Sequence, residues 1–104
     1  MIVEATNLDT LKQGNVLVDF YSTTCAPCRT MNPILDEVSK EMPNVRVVKV
    51  EVTKHPGATY AYGIRCLPTV MFLQNARVRE IAQGLTTKKN LVSMLQKYVV
   101  PAAA

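Results

Sequence analysis

Hydrophobic positions fall along this chain in two rhythms. Val16-Leu17-Val18-Asp19-Phe20 is almost unbroken in apolar types with β-branched members, which predicts a strand buried on both faces over 16–22. Directly beyond it, Met31, Ile34, Leu35, Val38 and Met42 recur at spacings of three and four, the apolar face of a helix over about 26–42. Pro33 lies inside that helix and is expected to bend or interrupt it. Ile2-Val3-Glu4 reads as a short first strand. Thr6 is the expected N-cap of a short helix through Leu8 and Leu11, with Asp9 in a capping-box position and Gly14 at the stop. Residues 45–52 are rich in β-branched types and predict another strand, and a short helix is expected over about 58–62, ended by Gly63. Residues 69–73 and 78–82 form a hairpin across Gln74-Asn75-Ala76-Arg77, a turn weakened because alanine tolerates positive φ poorly. After Gly84, Thr87 caps a last helix whose apolar face is Leu91, Leu95 and Tyr98, flanked by Val92 and Val99. Pro101 and the alanine tail to Ala104 are expected to fray. The order β-α-β-α-β-α-β-β-α predicts an α/β fold, a central mixed sheet with helices on both faces.

With 104 residues the chain is read as a single domain, 1–104, able to bury a core of its own. A hydrophobic share of 48% and a charged share of 19% are those of an ordinary globular protein. No apolar run approaches the ~20 residues of a membrane span, so no membrane partner is expected. Met1-Ile2-Val3-Glu4-Ala5 shows no basic segment followed by an apolar one, which predicts no signal peptide and a cytoplasmic location. The three cysteines, an odd number, argue against a secreted disulfide framework. The net charge of +4 is uneven: residues 1–44 carry three Lys/Arg against six Asp/Glu, residues 45–104 nine against two. The positive charges are scattered, with few aromatics among them, which reads as a solvated basic face and not as a nucleic-acid surface.

The chemistry is concentrated at Cys25-Ala26-Pro27-Cys28, at the junction of the buried strand and the amphipathic helix. The spacing puts both sulfurs within one helical turn. The helix start offers unpaired N–H groups and partial positive charge, which stabilise a thiolate. Pro27 sacrifices no intrahelical bond in the first turn. A redox dithiol is the favoured reading of Cys-x-x-Cys beside a βαβ pattern. Two bland readings stand beside it: small core cysteines, or a zinc site from Cys25, Cys28, Cys66 and His55, which lacks a second short ligand spacing.

Over nearly its whole length the sequence resembles the thioredoxin family. The resemblance rests on Val16-Leu17-Val18-Asp19-Phe20-Tyr21, Cys25-Ala26-Pro27-Cys28-Arg29, Pro33, Lys49, Tyr62-Gly63-Ile64-Arg65, Leu67-Pro68-Thr69 and Gly84. It implies the thioredoxin fold and reduction of protein disulfides through a redox-active Cys25–Cys28 disulfide. Cys25 corresponds to the attacking thiol, Cys28 to the resolving thiol, Asp19 to a buried carboxylate beneath them, Lys49 to the lysine beside that carboxylate, and Pro68 to a proline preceded by a cis bond. Read without the family, Asp19 is a carboxylate in an apolar run, costly to bury ionised, so its pKa should rise and it could pass protons to and from Cys28. The alternatives are an edge-strand Asp19 facing solvent, an edge-strand Lys49 and a Pro68 that merely begins a strand.

The chain departs from the family in having Tyr21 and Thr24 where Trp is usual, Ala26 where Gly is usual, and Cys66 two residues before Pro68. The last reads as a reactive thiol or, preferentially, a half-buried spectator. The expected activity is protein-disulfide reduction, with a substrate groove at Thr24, Ala26, Pro27, Leu67, Gly84 and Leu85. Its partners would be disulfide-containing proteins and an electron-donating reductase. No bound cofactor or metal is implied, and a monomer is expected. A binding module using the same groove is the alternative, and an oxidant or isomerase a third reading.

Overall fold

Alternation along the strands sorts the apolar side chains into two layers, and the architecture follows from that sorting. A computed structural model of the chain describes residues 2–100. Its strands are β1 (Ile2–Glu4), β2 (Asn15–Tyr21), β3 (Arg46–Glu51), β4 (Thr69–Gln74) and β5 (Arg77–Gln83), joined in one sheet of order β1-β3-β2-β4-β5. β1 and β2 run parallel to β3, whereas β4 is antiparallel to both β2 and β5. The helices are α1 (Ala26–Glu41), α2 (Pro56–Ala61) and α3 (Lys88–Gln96), preceded by a 3-10 turn at Leu8–Leu11. The sheet is mixed and the elements follow along the chain in the order that the hydrophobic pattern predicts, with a 3-10 turn where a short first helix is expected.

On one face Leu17, Val47, Val70 and Phe72 pack with Met31, Leu35 and Val38 of α1 and Leu91 and Leu95 of α3. On the other, Val16, Val18, Phe20, Val48, Val50 and Met71 pack with Leu11 and with Ala58 of α2. β2 therefore contributes apolar side chains to both layers, as its unbroken apolar run requires. Its odd-numbered residues face α1 and α3, which places Asp19 and Tyr21 in that layer beside Leu17.

Several local expectations are corrected. The N-cap of the first turn is Asn7, not Thr6: its side chain accepts from the Asp9 N–H at 2.9 Å. Gly14 lies beyond the Lys12 cap, at φ +76°, and its N–H donates to Asn75 Oδ1 at 2.9 Å, fastening the entry to β2 onto the hairpin turn. Pro33 does not interrupt α1, which runs unbroken to Glu41. In α3, Met94 joins the buried face, while Tyr98 lies past the helix end, 37% exposed, with its hydroxyl donating to Glu80 Oε2 at 2.8 Å. β2 and β3 are interior strands, so neither Asp19 nor Lys49 is on an edge. The expected fraying of 101–104 lies outside the described residues. The last of those, Val100, offers its carbonyl to Asn44 Nδ2 at 2.9 Å.

The β4–β5 turn has φ of +48° at Asn75 and +72° at Ala76. Two successive positive values are what a tight hairpin turn compatible with strand twist requires, and Ala76 adopts the second at a cost of about 1–2 kcal/mol. Ala76→Gly is expected to stabilise the protein by about 1 kcal/mol, net of the entropy a glycine loses on folding. Urea unfolding reads this as a raised midpoint at unchanged slope.

Candidate functional site

The strand directions bring four loops to one end of the sheet. β2 and β3 end there with Tyr21 opposite Glu51, β4 starts there with Thr69 opposite Phe20, and β5 ends there with Gln83 opposite Thr69. The Cys25 loop, the segment after Glu51, the Cys66-Leu67-Pro68 segment and the Gly84-Leu85 segment thus share one rim.

Cys25 is the N-cap of α1, in extended conformation (φ −92°, ψ 108°), and Pro27 stands in the first turn. Cys25 and Cys28 form a disulfide with Cα atoms 5.3 Å apart. The two sulfurs are unequal. Cys28 is buried at 2% exposure, while Cys25 is half-buried and accepts the Cys28 N–H at 3.2 Å. Thr24, Ala26 and Pro27 are exposed around it, and Arg29 donates to the Thr23 carbonyl at 3.3 Å, closing the loop onto the helix.

Across the rim, the Leu67–Pro68 peptide bond is cis and Pro68 is buried. The Pro68 carbonyl accepts the Gly84 N–H at 2.7 Å, which fixes the segment after β5 against the proline. Gly84 needs no side-chain space, since a Cβ there would meet nothing within 4 Å. Its φ of +80° is what favours glycine. Leu85 is 56% exposed and Leu67 half-buried, so the rim beside Pro68 carries an apolar patch. Cys66 is exposed, a correction to its reading as a half-buried thiol, and its carbonyl accepts from Thr69 Oγ1 at 2.7 Å.

The four side chains of the alternative zinc reading are not grouped as a metal site. His55 Nε2 lies 3.3 Å from the Ala5 carbonyl, and among the described residues no three His, Cys, Asp or Glu side chains are grouped to hold a metal ion.

Behind the disulfide is a pocket of about 300 Å³ lined by Tyr21, Cys28, Arg29, Asn32 and Lys49, among others. Lys49 is the register partner of Asp19, with Nζ 3.9 Å from Asp19 Oδ2. The same ammonium donates to Asn32 Oδ1 and sits 4.2 Å from the centroid of the Tyr21 ring. Tyr21 is held in turn by its hydroxyl, which donates to Glu4 Oε1 at 2.7 Å. Asp19 is fully buried, and among the described residues neither carboxylate oxygen has a hydrogen-bond partner. Burial pushes its pKa up to about 6; the Lys49 charge opposes the rise and Glu4 adds to it. Burial and the hydrogen bond to Glu4 push the Tyr21 hydroxyl upward as well, so it remains a donor at neutral pH.

The sequence pattern missed Asn32 and Glu4. Asn32 was legible in principle, because it follows Cys28 by four residues and so shares its helix face. Glu4 carries no such signal. It reaches Tyr21 only through the pairing of β1 with β3, which the sequence does not reveal.

A family model described as thioredoxin matches residues 3–97. The thioredoxin of Rickettsia conorii is 38% identical over 85 residues, covering 81% of each chain, and that of Synechocystis is also 38% identical over 85 residues, covering 81% of this chain and 79% of its own. Among solved structures, a thioredoxin from Nicotiana alata superposes with TM-score 0.85 at 23% identity over 95% of this chain and 93% of its own. A mutant thioredoxin from Halobacterium salinarum superposes with TM-score 0.82 at 28% identity over 97% and 93%.

The raised pKa of Asp19 has a consequence for stability. Below pH 3.8, its unperturbed value, the carboxyl is protonated whether the chain is folded or not, and its burial carries no ionisation penalty. As pH rises from there to about 6, the unfolded chain has released the proton and the folded one retains it, so stability falls; above that the loss is complete. Asp19→Asn is therefore expected to be more stable than the native protein at pH 8 by on the order of 3 kcal/mol, with the difference vanishing below pH 4. Paired urea titrations at the two pH values measure it.

Proposed function

This chain belongs to the thioredoxin family, whose members are protein-disulfide oxidoreductases working by dithiol–disulfide exchange, and we propose that Cys25 is its attacking sulfur and Cys28 its resolving one. Thioredoxins act on disulfide substrates and are returned to the dithiol state by a reductase; for this chain the substrates would be proteins and the reductase a separate electron donor. No bound cofactor takes part. No helix among the described residues is long and apolar enough to cross a membrane, and work as a monomer in the reducing cytoplasm is part of the proposal.

The observation that carries the assignment is the inequality of the two sulfurs. A substrate disulfide can approach the half-buried Cys25 but not Cys28. Cys25 is also the sulfur that receives a helix-start N–H, the contact that favours a thiolate. Cys25 thiolate attacks one substrate sulfur, the substrate S–S bond breaks, and the other sulfur leaves as a thiolate. Cys28 then gives its proton to the Asp19 carboxylate and attacks Cys25. The Cys25–Cys28 bond forms, and the second substrate sulfur leaves with the bonding pair. Two electrons have passed to the substrate, and the protein is in the disulfide form described above. Lys49 steadies the ionised carboxylate during the transfer. Pro68, with Leu67, Gly84 and Leu85 on one side and Thr24, Ala26 and Pro27 on the other, lines the groove that receives the substrate chain. The polar Thr24, and a Tyr21 whose hydroxyl is tied to Glu4, leave that groove without an aromatic wall.

Reduction of insulin disulfides driven by dithiothreitol tests this. Cys25→Ser is expected to drop the rate to that of dithiothreitol alone, and Cys28→Ser to accumulate a mixed disulfide visible by mass. An unaccelerated rate with the native chain, together with partner binding that survives Cys25→Ser/Cys28→Ser, would instead identify a binding module.

A further inference from the structure

The Lys49 ammonium has three neighbours in the pocket behind Cys28, and they are not equivalent. It is hydrogen-bonded to Asn32 Oδ1 and lies over the Tyr21 ring, yet it stops 3.9 Å from Asp19 Oδ2. An ammonium–carboxylate hydrogen bond closes to about 2.7–2.9 Å. A lysine with four rotatable carbons has the freedom to make that contact, and Asp19 has both oxygens vacant to accept it. The lysine is held elsewhere.

Tyr21 supplies a surface that attracts the ammonium, but the ring gives no fixed point on it. Asn32 does. It follows Cys28 by one helical turn, so α1 carries the dithiol and this oxygen on the same face. We propose that Asn32 is a positioning residue for the redox reaction: its side-chain oxygen holds the Lys49 ammonium at the mouth of the pocket and out of a direct hydrogen-bonded pair with Asp19. The inference rests on the reading of Asp19 as the acceptor of the Cys28 proton. A carboxylate fully paired with a lysine accepts a proton poorly. One facing a lysine at a remove is stabilised enough to ionise and free enough to be protonated. The same helix turn thus delivers the thiol and regulates the base that deprotonates it.

Besides Lys49, the charged or titratable groups that act on Asp19 are Glu4 from β1 and Tyr21 on β2 itself; Cys28 and Arg29 of α1 line the pocket that holds the Lys49 ammonium, and β4 sets Val70 opposite Asp19, which carries no charge. With the disulfide formed, the cysteines do not titrate, so the Asp19 carboxyl can be followed by itself.

The experiment is a pH titration of the Asp19 side-chain carbon by NMR in the oxidised full chain labelled at aspartate. The native midpoint is expected near pH 6. In Asn32→Ala the ammonium is released to close on Asp19, and the midpoint is expected to fall by about one pH unit or more. Alanine at this exposed helical position favours the helix, so the variant folds. In a Lys49→Met background the same substitution is expected to leave the midpoint where Lys49→Met alone puts it, because Asn32 acts through the lysine. An unchanged midpoint in Asn32→Ala, or a shift that persists undiminished without Lys49, would overturn the proposal. A lowered midpoint that the pH dependence of insulin reduction does not follow would uphold the positioning by Asn32 and remove Asp19 from the proton path instead.

Discussion

Everything at the active rim depends on β2 being paired on both sides in opposite senses. Parallel pairing to β3 sends two strand ends to one edge of the sheet, and antiparallel pairing to β4 starts a third strand at that edge. Without the first, the loop before α1 would have no lysine beneath it. Without the second, Pro68 would lie at the far end of the molecule. The strand is held in place by apolar contacts on both faces, and only Asp19 among its fully buried residues is polar. The scaffold is rigid for the reason that makes this one residue expensive.

That expense is the centre of the chemistry. A carboxylate with no hydrogen-bond donors, inside an interior strand, is a defect by the standards of a structural core. The surrounding groups do not remove the defect; they hold it at a level where a proton is gained or lost near neutrality. Lys49 alone would suppress it. Asn32, from α1, keeps the lysine at a distance, with the Tyr21 ring beside it. Stability is given up at Asp19, and on the proposed mechanism this is what lets the carboxylate take the proton of Cys28.

Much of this was legible in the sequence. The β2 run, the helical spacing of Met31, Leu35 and Val38, and the Cys-x-x-Cys at their junction fixed the sheet, the helix and the dithiol, because each signal is local and strongly periodic. Asp19 stood out as a charge in an apolar run. The cis bond before Pro68 came through resemblance alone, since a dipeptide does not announce its isomer. What stayed hidden depends on register or on side-chain choice. Nothing local distinguishes Thr6 from Asn7 as a cap. Pro33 looked like an interruption, but α1 continues through it. Asn75-Ala76 looked like a poor turn and is nonetheless the turn, because the strands it joins decide the matter. Asn32 gains its meaning from Lys49, and Glu4 from Tyr21, each reached from a different element.

The strand order also leaves two edges, β1 and β5, and these are guarded by different means. β1 is three residues long, too short a template for another chain to extend. β5 has seven residues, with Val78 and Ile81 half exposed, and would be an inviting surface for lateral growth of the sheet. Arg77, Arg79 and Glu80 stand along it, and the irregular register opposite Phe72 and Leu73 spoils its regularity. The edges are thus guarded along their length, and β5 opens onto the rim only where it ends, at Gln83.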